Sequence, residues 1–198
     1  EGVHPPDGAA GPFDAVNGRC LDDARANVII ADGRNHLALT DRTYDVIVSE
    51  PSNPWMAGVA YLFTREHFEN CRSRLREGGI LCQWLHSYSL PPREFLRVIQ
   101  TVDAVFGSTT VWLSPSLDDY CIIATDRPRD AWGTVGRWMQ RDEVAANLRS
   151  IRIDSAADLF GCFLLDCATL RGRRLGSSLG VFGELEPNTD DHNQLNYQ

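Results

Sequence analysis

Polar residues follow three apolar runs of the sequence, and they are the first candidates for chemistry. The acids Asp32 and Glu50 each come directly after such a run, and Gln83 lies within a third run with Tyr88 shortly beyond it. A carboxylate can accept a proton from a nucleophile, whereas amide and phenol groups orient a ligand through hydrogen bonds. An acid after a run is also a common helix cap, and Asp32 taken alone fits a cap equally well.

The segment after the second run is the most specific of the three. Glu50–Trp55 reads EPSNPW. Two prolines this close neither continue a strand nor begin a helix easily, so the segment is predicted to be a shaped loop. The ring face of Trp55 could attract a cation. The alternatives are a purely structural loop and a Trp55 that is an ordinary core aromatic.

Length and charge restrict the classes of function. The chain has 198 residues, which indicates one domain or two small ones. All 19 basic residues are arginine, so mechanisms that need a lysine are excluded. The net charge of -8 argues against a nucleic-acid partner and is compatible with a cationic ligand. No apolar run approaches the ~20 residues of a membrane span, and we expect a cytoplasmic protein.

Cysteine and histidine spacing gives no metal site. The six cysteines form no C-x-x-C pair, and five of them stand among apolar residues. We interpret those five as buried small hydrophobes in preference to disulfides or metal ligands. The five histidines are scattered without ligand spacing.

Short apolar runs alternating with amphipathic segments predict a doubly wound α/β fold with a mostly parallel sheet. Helices are predicted from Thr64 to Arg76, with Gly78 as the stop, and from Pro92 to Phe106 before Gly107. The last two strands are joined by a short link and should pair antiparallel at one edge. The predicted strands are Asn27–Ala31, Tyr44–Ser49, Ile80–Leu85, Thr110–Leu113 and Tyr120–Ala124.

Changes in composition and in apolar periodicity along the chain predict three parts. Residues 1–26 are an irregular N-terminal segment, residues 27–126 the α/β core, and residues 127–198 a helical extension with a tail. Within the extension, helices are predicted over 131–140 and 141–149, and a third from a capping box at Ser155 through Leu170. A loop over 171–180 follows. Asp190 and Asp191 either return to the mouth of the cleft or form a solvated turn.

Three segments together resemble the spermidine/spermine synthase family of polyamine aminopropyltransferases. They are DGRNHL from Asp32, YDVIVSEPSNPWMAGVAYLFTREHF from Tyr44, and LREGGILCQW from Leu75. The nearest likeness is to a bacterial branch often fused to membrane transporter segments, and NTDD from Asn188 is similar to that branch. The resemblance implies a Rossmann-like fold of the S-adenosylmethionine methyltransferase type, with sheet order 3-2-1-4-5-7-6. The five predicted strands would take places 3 to 7.

The resemblance also implies site roles. Asp32 would contact the adenine of decarboxylated S-adenosylmethionine, the co-substrate, and Gly33 would permit its close approach; no prosthetic group is implied. Glu50 stands where the family has its catalytic aspartate, and would act as general base toward an amine. Asn53 replaces a second acid of the family loop. The predicted substrate-binding residues are Asn53, Gln83 and Tyr88, which match family positions, and Trp55, which is predicted from its aromatic ring alone.

One family feature has no counterpart in the sequence. No glycine-rich donor loop follows a first strand, so we expect a domain truncated in its N-terminal half, or remodelled. A membrane segment fused elsewhere in the full protein and a homodimer both stay open. Two other functions compete with polyamine synthesis. They are an S-adenosylmethionine-dependent methyltransferase, and a noncatalytic binding or regulatory module that kept the fold.

Overall fold

The structure is a computed structural model that describes residues 14, 18–56, 58–114, 119–128, 130–168 and 185–197. The chain forms two compact units, Glu1–Thr40 and Asp41–Gln198. Among the helices described, none is both long and apolar enough to cross a bilayer. The predicted loop over 171–180 and most of the predicted N-terminal segment lie outside the described residues.

The first unit carries a 3-10 turn, Cys20–Asp22, and helix α1, Gly33–Leu39. The strand predicted at Asn27–Ala31 is wrong: the backbone there forms no ladder, and Ile29 and Ile30 are 50% and 77% exposed. A strand exists only through hydrogen bonds to a neighbouring strand, and the described part of this unit contains none.

The second unit holds a five-stranded sheet. Its strands are β1 (Tyr44–Ser49), β2 (Leu75–His86), β3 (Ser108–Leu113), β4 (Asp119–Thr125) and β5 (Phe163–Asp166). Its helices are α2 (Arg65–Arg74), α3 (Pro92–Phe106), α4 (Ala131–Trp138), α5 (Asp142–Ser150) and α6 (Ala156–Gly161). Two further 3-10 segments are Val59–Phe63 and Gln194–Tyr197.

The strand order is β1-β2-β4-β3-β5. Its first four members reproduce the 4-5-7-6 part of the order that the resemblance implies, and β3 pairs antiparallel with β4 as predicted. The sheet is not mostly parallel in the described residues, because β1 with β2 is the one parallel pair among its four pairs of neighbouring strands. β3 is also not at the edge, because β5 pairs with its other side.

Helix α2 ends earlier than its apolar pattern indicates. The helix stops at Arg74 and β2 begins at Leu75, before Gly78 and five residues before the predicted strand. Gly78 has φ +70°, a conformation that suits glycine, and the pairing with β1 is irregular between Tyr44 and Val46. The chain therefore enters the sheet through a bulge.

Helix α3 follows its predicted bounds and supplies much of the core. Pro92 opens it, and Gly107 with φ +80° ends it. Its apolar stripe, including Val98 and Val102, is buried where α2 and α3 pack on the sheet against residues such as Leu81 and Ile122.

The C-terminal extension mixes helix and strand. Helices α4 and α5 match the prediction closely, and the capping box at Ser155 with Asp158 is present. The long helix predicted through Leu170 is wrong, because α6 ends at Gly161 and Phe163–Asp166 forms β5. Phe163 and Leu165 pair with β3, whose backbone groups on that side would otherwise lack partners. Part of the extension therefore belongs to the core sheet.

Candidate active site

The chemistry-bearing residues of the second unit gather at one edge of the sheet. Because β1 and β2 are parallel and Ser49 pairs with Gln83, the carboxyl ends of the two strands lie side by side. Strand β4 runs the other way, so its first residue, Asp119, pairs with His86 at the end of β2. Open α/β sheets bind ligands at this edge.

Glu50 comes directly after β1 and is exposed. The hydrogen bond between Cys82 on β2 and Cys121 on β4 has the largest effect on the pKa of each thiol, and the charge of Glu50 adds a smaller effect that favours the protonated form of both. Glu50 therefore lies at the strand ends and is open to solvent.

Asn53 joins the loop after β1 to the end of β2. Its backbone carbonyl accepts a hydrogen bond from the Met56 N–H at 3.0 Å, which closes a turn. Its side-chain Oδ1 lies 3.0 Å from His86 Nε2 and accepts a hydrogen bond from the Tyr88 hydroxyl at 3.3 Å. Two residues of the predicted substrate-binding set, Asn53 and Tyr88, are thus in contact.

His86 is the centre of an aromatic cluster. The ring of Trp55 stacks on it at a centroid distance of 5.1 Å and an angle of 5°, and Tyr88 meets it edge-on at 3.8 Å. The ring of Trp84 lies at a centroid distance of 4.9 Å from that of His86, tilted by 44°. The His86 side chain is fully buried, and burial lowers its pKa although Asp119 acts in the opposite direction. Burial of the ring therefore favours the neutral imidazole.

Gln83 is placed deeper than the rest of the predicted set. It is fully buried, and its Nε2 donates to the Trp84 carbonyl at 3.0 Å. Its Oε1 is buried without a partner among the described residues. Contact of Gln83 with substrate stays a prediction.

The two residues predicted to hold the donor lie in the first unit. Asp32 caps α1, its carboxylate accepting a hydrogen bond from the Asn35 N–H at 2.8 Å. Gly33 opens that helix, and a Cβ added there would meet nothing within 4 Å. Packing of the protein does not demand glycine at this position, so its role toward a ligand stays a prediction.

Sequence reasoning missed two features of this edge. One is Asp119, whose signal was available: an acid that begins an antiparallel strand lies beside the end of its partner. The other is the pair of Cys82 and Cys121, which were expected to be buried hydrophobes but are half-buried and interact with each other. Cys71 and Cys167 are buried as predicted, whereas Cys162 is half-buried. Within the described ranges, no group of three or more acids, cysteines and histidines is arranged to bind a metal.

Fold and site together define a Rossmann-like α/β domain with a carboxylate at the ligand-binding edge of its sheet. Residues 12–122 match the model of the spermine/spermidine synthase domain family. That match covers more than half of the chain, and the chain belongs to this family.

Sequence relatives agree with this assignment. The chain is 42% identical over 61 residues to polyamine aminopropyltransferase 1 of Pseudomonas aeruginosa. This match covers 31% of the present chain and 21% of the Pseudomonas protein. It is 34% identical over 90 residues to a polyamine aminopropyltransferase of a Synechococcus strain. This match covers 44% of the present chain and 29% of the Synechococcus protein. The matched regions are thus less than a third of the length of these relatives.

Solved structures show the same fold. The spermidine synthase from Thermotoga maritima superposes with a TM-score of 0.52 at 21% identity, over 76% of this chain and 50% of that one. A spermidine synthase in complex with the transition state analogue AdoDATO gives 0.51 at 19% identity, over 76% and 49%. The chain spans about half the length of these structures.

Proposed function

We propose that the protein transfers an aminopropyl group from decarboxylated S-adenosylmethionine to an amine, with Glu50 as the general base. The observation that carries the proposal is the position of Glu50: an exposed acid directly after β1, beside the paired strand β2, in a chain of the spermine/spermidine synthase family. The relatives named as polyamine aminopropyltransferases support the reaction type.

The chemistry places specific demands on this site. The amine nitrogen attacks the carbon next to the sulfonium, a C–N bond forms as the C–S bond breaks, and the sulfur leaves as a neutral thioether. The attacking nitrogen must be neutral, yet alkyl ammonium groups have pKa values near ~10 and are mostly protonated at neutral pH. Glu50 takes up the proton that the nitrogen loses, an effect of about 10²–10⁴-fold.

The surroundings of Glu50 suit cationic reactants. Asp119 adds a second carboxylate at the same edge, and the chain carries a net charge of -8. Trp55 and Tyr88 contribute aromatic rings that can face a cation. Donor binding by Asp32 and Gly33 rests on the resemblance of DGRNHL to the family segment.

Replacement of the base tests the proposal. In Glu50→Gln, we expect transfer to fall by about 100-fold or more, because the amide cannot accept the proton. Thioether release and product formation are measured by chromatography, and circular dichroism checks the fold. Glu143→Gln on α5 removes the same charge elsewhere and should leave the rate unchanged. Full turnover in Glu50→Gln would remove Glu50 from the mechanism.

Calorimetry separates the competing functions. The protein is titrated with decarboxylated S-adenosylmethionine, S-adenosylmethionine and putrescine. Binding of the decarboxylated donor and of putrescine supports aminopropyl transfer. Binding of S-adenosylmethionine in preference would favour a methyltransferase, and binding of none of the three would favour a noncatalytic module.

A further inference from the structure

The hydrogen bonds of Asn53 determine what its side chain can offer to a ligand. Oδ1 has two partners, His86 Nε2 at 3.0 Å and the Tyr88 hydroxyl at 3.3 Å. Nδ2 makes no hydrogen bond to any residue that the structure describes, and the side chain is half-buried. The orientation of the amide therefore depends on which nitrogen of His86 carries the proton.

The burial of His86 fixes its tautomer. Nδ1 is buried and has no hydrogen-bond partner among the described residues. An N–H group buried without a partner is rarer and more costly than a buried acceptor in that state. Nδ1 is therefore the unprotonated nitrogen, and Nε2 carries the hydrogen and donates it to Asn53 Oδ1.

The orientation of the Asn53 amide determines which of its groups can bind a substrate. A carbonyl oxygen has two acceptor positions, and His86 and Tyr88 occupy both on Asn53. The free part of the amide is its NH₂ group, which only donates. We propose that Asn53 is a specificity residue that binds an oxygen acceptor of the substrate, and that His86 is the positioning residue that holds it in this orientation. This inference rests on the proposed function.

The charge at this edge indicates what kind of oxygen fits. Glu50 and Asp119 are carboxylates near the same strand ends, so a carboxylate on the substrate would be repelled. A second ammonium would meet the N–H donors of Asn53 and would also be disfavoured there. The inferred acceptor substrate is therefore an amine that carries an uncharged oxygen, such as a hydroxyl, in place of a second amino group.

Two ligands of equal length test the specificity. Putrescine and 4-amino-1-butanol differ only in the distal group, and their affinities are measured by calorimetry on the full chain with the donor present. We expect the amino alcohol to bind more tightly. In Asn53→Asp, the preference should shift toward putrescine by about 10-fold or more, because a carboxylate accepts from an ammonium. Asn147→Asp on α5 adds the same charge and should leave the ratio unchanged.

Two further readouts test the positioning role of His86. Nitrogen-15 shifts of the ring should show a neutral imidazole protonated at Nε2. His86→Gln retains an N–H donor and should keep the preference for the amino alcohol, whereas His86→Phe should lose it while still binding the amine end.

The outcomes distinguish this inference from the proposed function. Tighter binding of putrescine to the unaltered protein, no shift in Asn53→Asp, or a proton on Nδ1 overturns the inference and leaves aminopropyl transfer standing. Transfer activity that is absent with every amine overturns both.

Discussion

At the scale of single residues, Cys121 and Cys82 report on the surroundings of Glu50. A hydrogen bond from the Cys82 thiol lowers the pKa of Cys121 to about 7, against opposing effects of burial, Asp119 and Glu50. The same interaction, with burial, raises the pKa of Cys82. One thiol of the pair therefore becomes a thiolate near neutral pH while its neighbour stays protonated.

This difference predicts a pH-dependent alkylation pattern. Iodoacetamide should modify Cys121 with a midpoint near its pKa of about 7, the rate falling as the pH drops below that value because only the thiolate reacts. Cys82→Ala should move the midpoint up, since the hydrogen bond that stabilises the thiolate is lost. Glu50→Gln should move it down, since a negative charge is removed. Peptide mass spectrometry measures each site, and an unchanged midpoint in Glu50→Gln would contradict the placement of the carboxylate.

Single residues also show which parts of the site a local sequence motif can predict and which it cannot. The loop from Glu50 to Trp55 was predicted because two prolines leave the backbone few alternatives. The contact between Asn53 and His86 spans 33 positions along the chain, and no local pattern encodes it. It exists because β1 and β2 are parallel neighbours, and the end of one lies beside the end of the other.

At the scale of elements, the tail is tied to the helical layer through Asn188. This fully buried side chain donates from Nδ2 to the Phe63 carbonyl at 3.1 Å and accepts from the Gln194 N–H at 2.9 Å. Its backbone N–H donates to the Thr101 hydroxyl on α3 at 3.0 Å. Nearby, the Asp190 N–H donates to Glu66 at 3.0 Å, which places the NTDD segment against α2.

Removal of the Asn188 side chain should therefore destabilise the protein. Asn188→Ala takes the donor away from the buried Phe63 carbonyl, and we expect a loss of about 2 kcal/mol in the free energy of unfolding. Asn147→Ala, at an exposed position of α5, should change it by less than about 0.5 kcal/mol. Urea denaturation followed by circular dichroism measures both, and equal stabilities would show that the tail does not secure the helical layer.

Elements differ in how far their own sequence determines them. Helix α3 was predicted to its ends, because Pro92, the apolar stripe and Gly107 all act locally. Phe163–Asp166 was predicted as helix, because its apolar residues also fit a helical face. Pairing with the open side of β3 made it a strand, and that partner lies about 50 residues away. Ile29 and Ile30 show the converse, since a strand-like run without a neighbour forms no strand.

At the scale of the whole molecule, the buried apolar core of the described residues lies in one of the two units. All five strands lie within Asp41–Gln198, and so do the buried apolar side chains of the described residues, from Ile47 to Leu195. Burial of apolar surface is the main favourable contribution to folding. The first unit carries the predicted donor residues, and its described part contributes no buried apolar side chain.

The second unit should therefore fold by itself. A protein of residues 41–198 should unfold cooperatively with a midpoint within about 2 °C of the full chain, since 1 kcal/mol corresponds to about 2–4 °C at this size. Deletion of residues 185–198 instead removes the buried Asn188 and Leu195 and should lower the midpoint by about 5 °C or more. Thermal scans by circular dichroism measure both. A broad, noncooperative transition in residues 41–198 would show that the first unit is needed to complete the core.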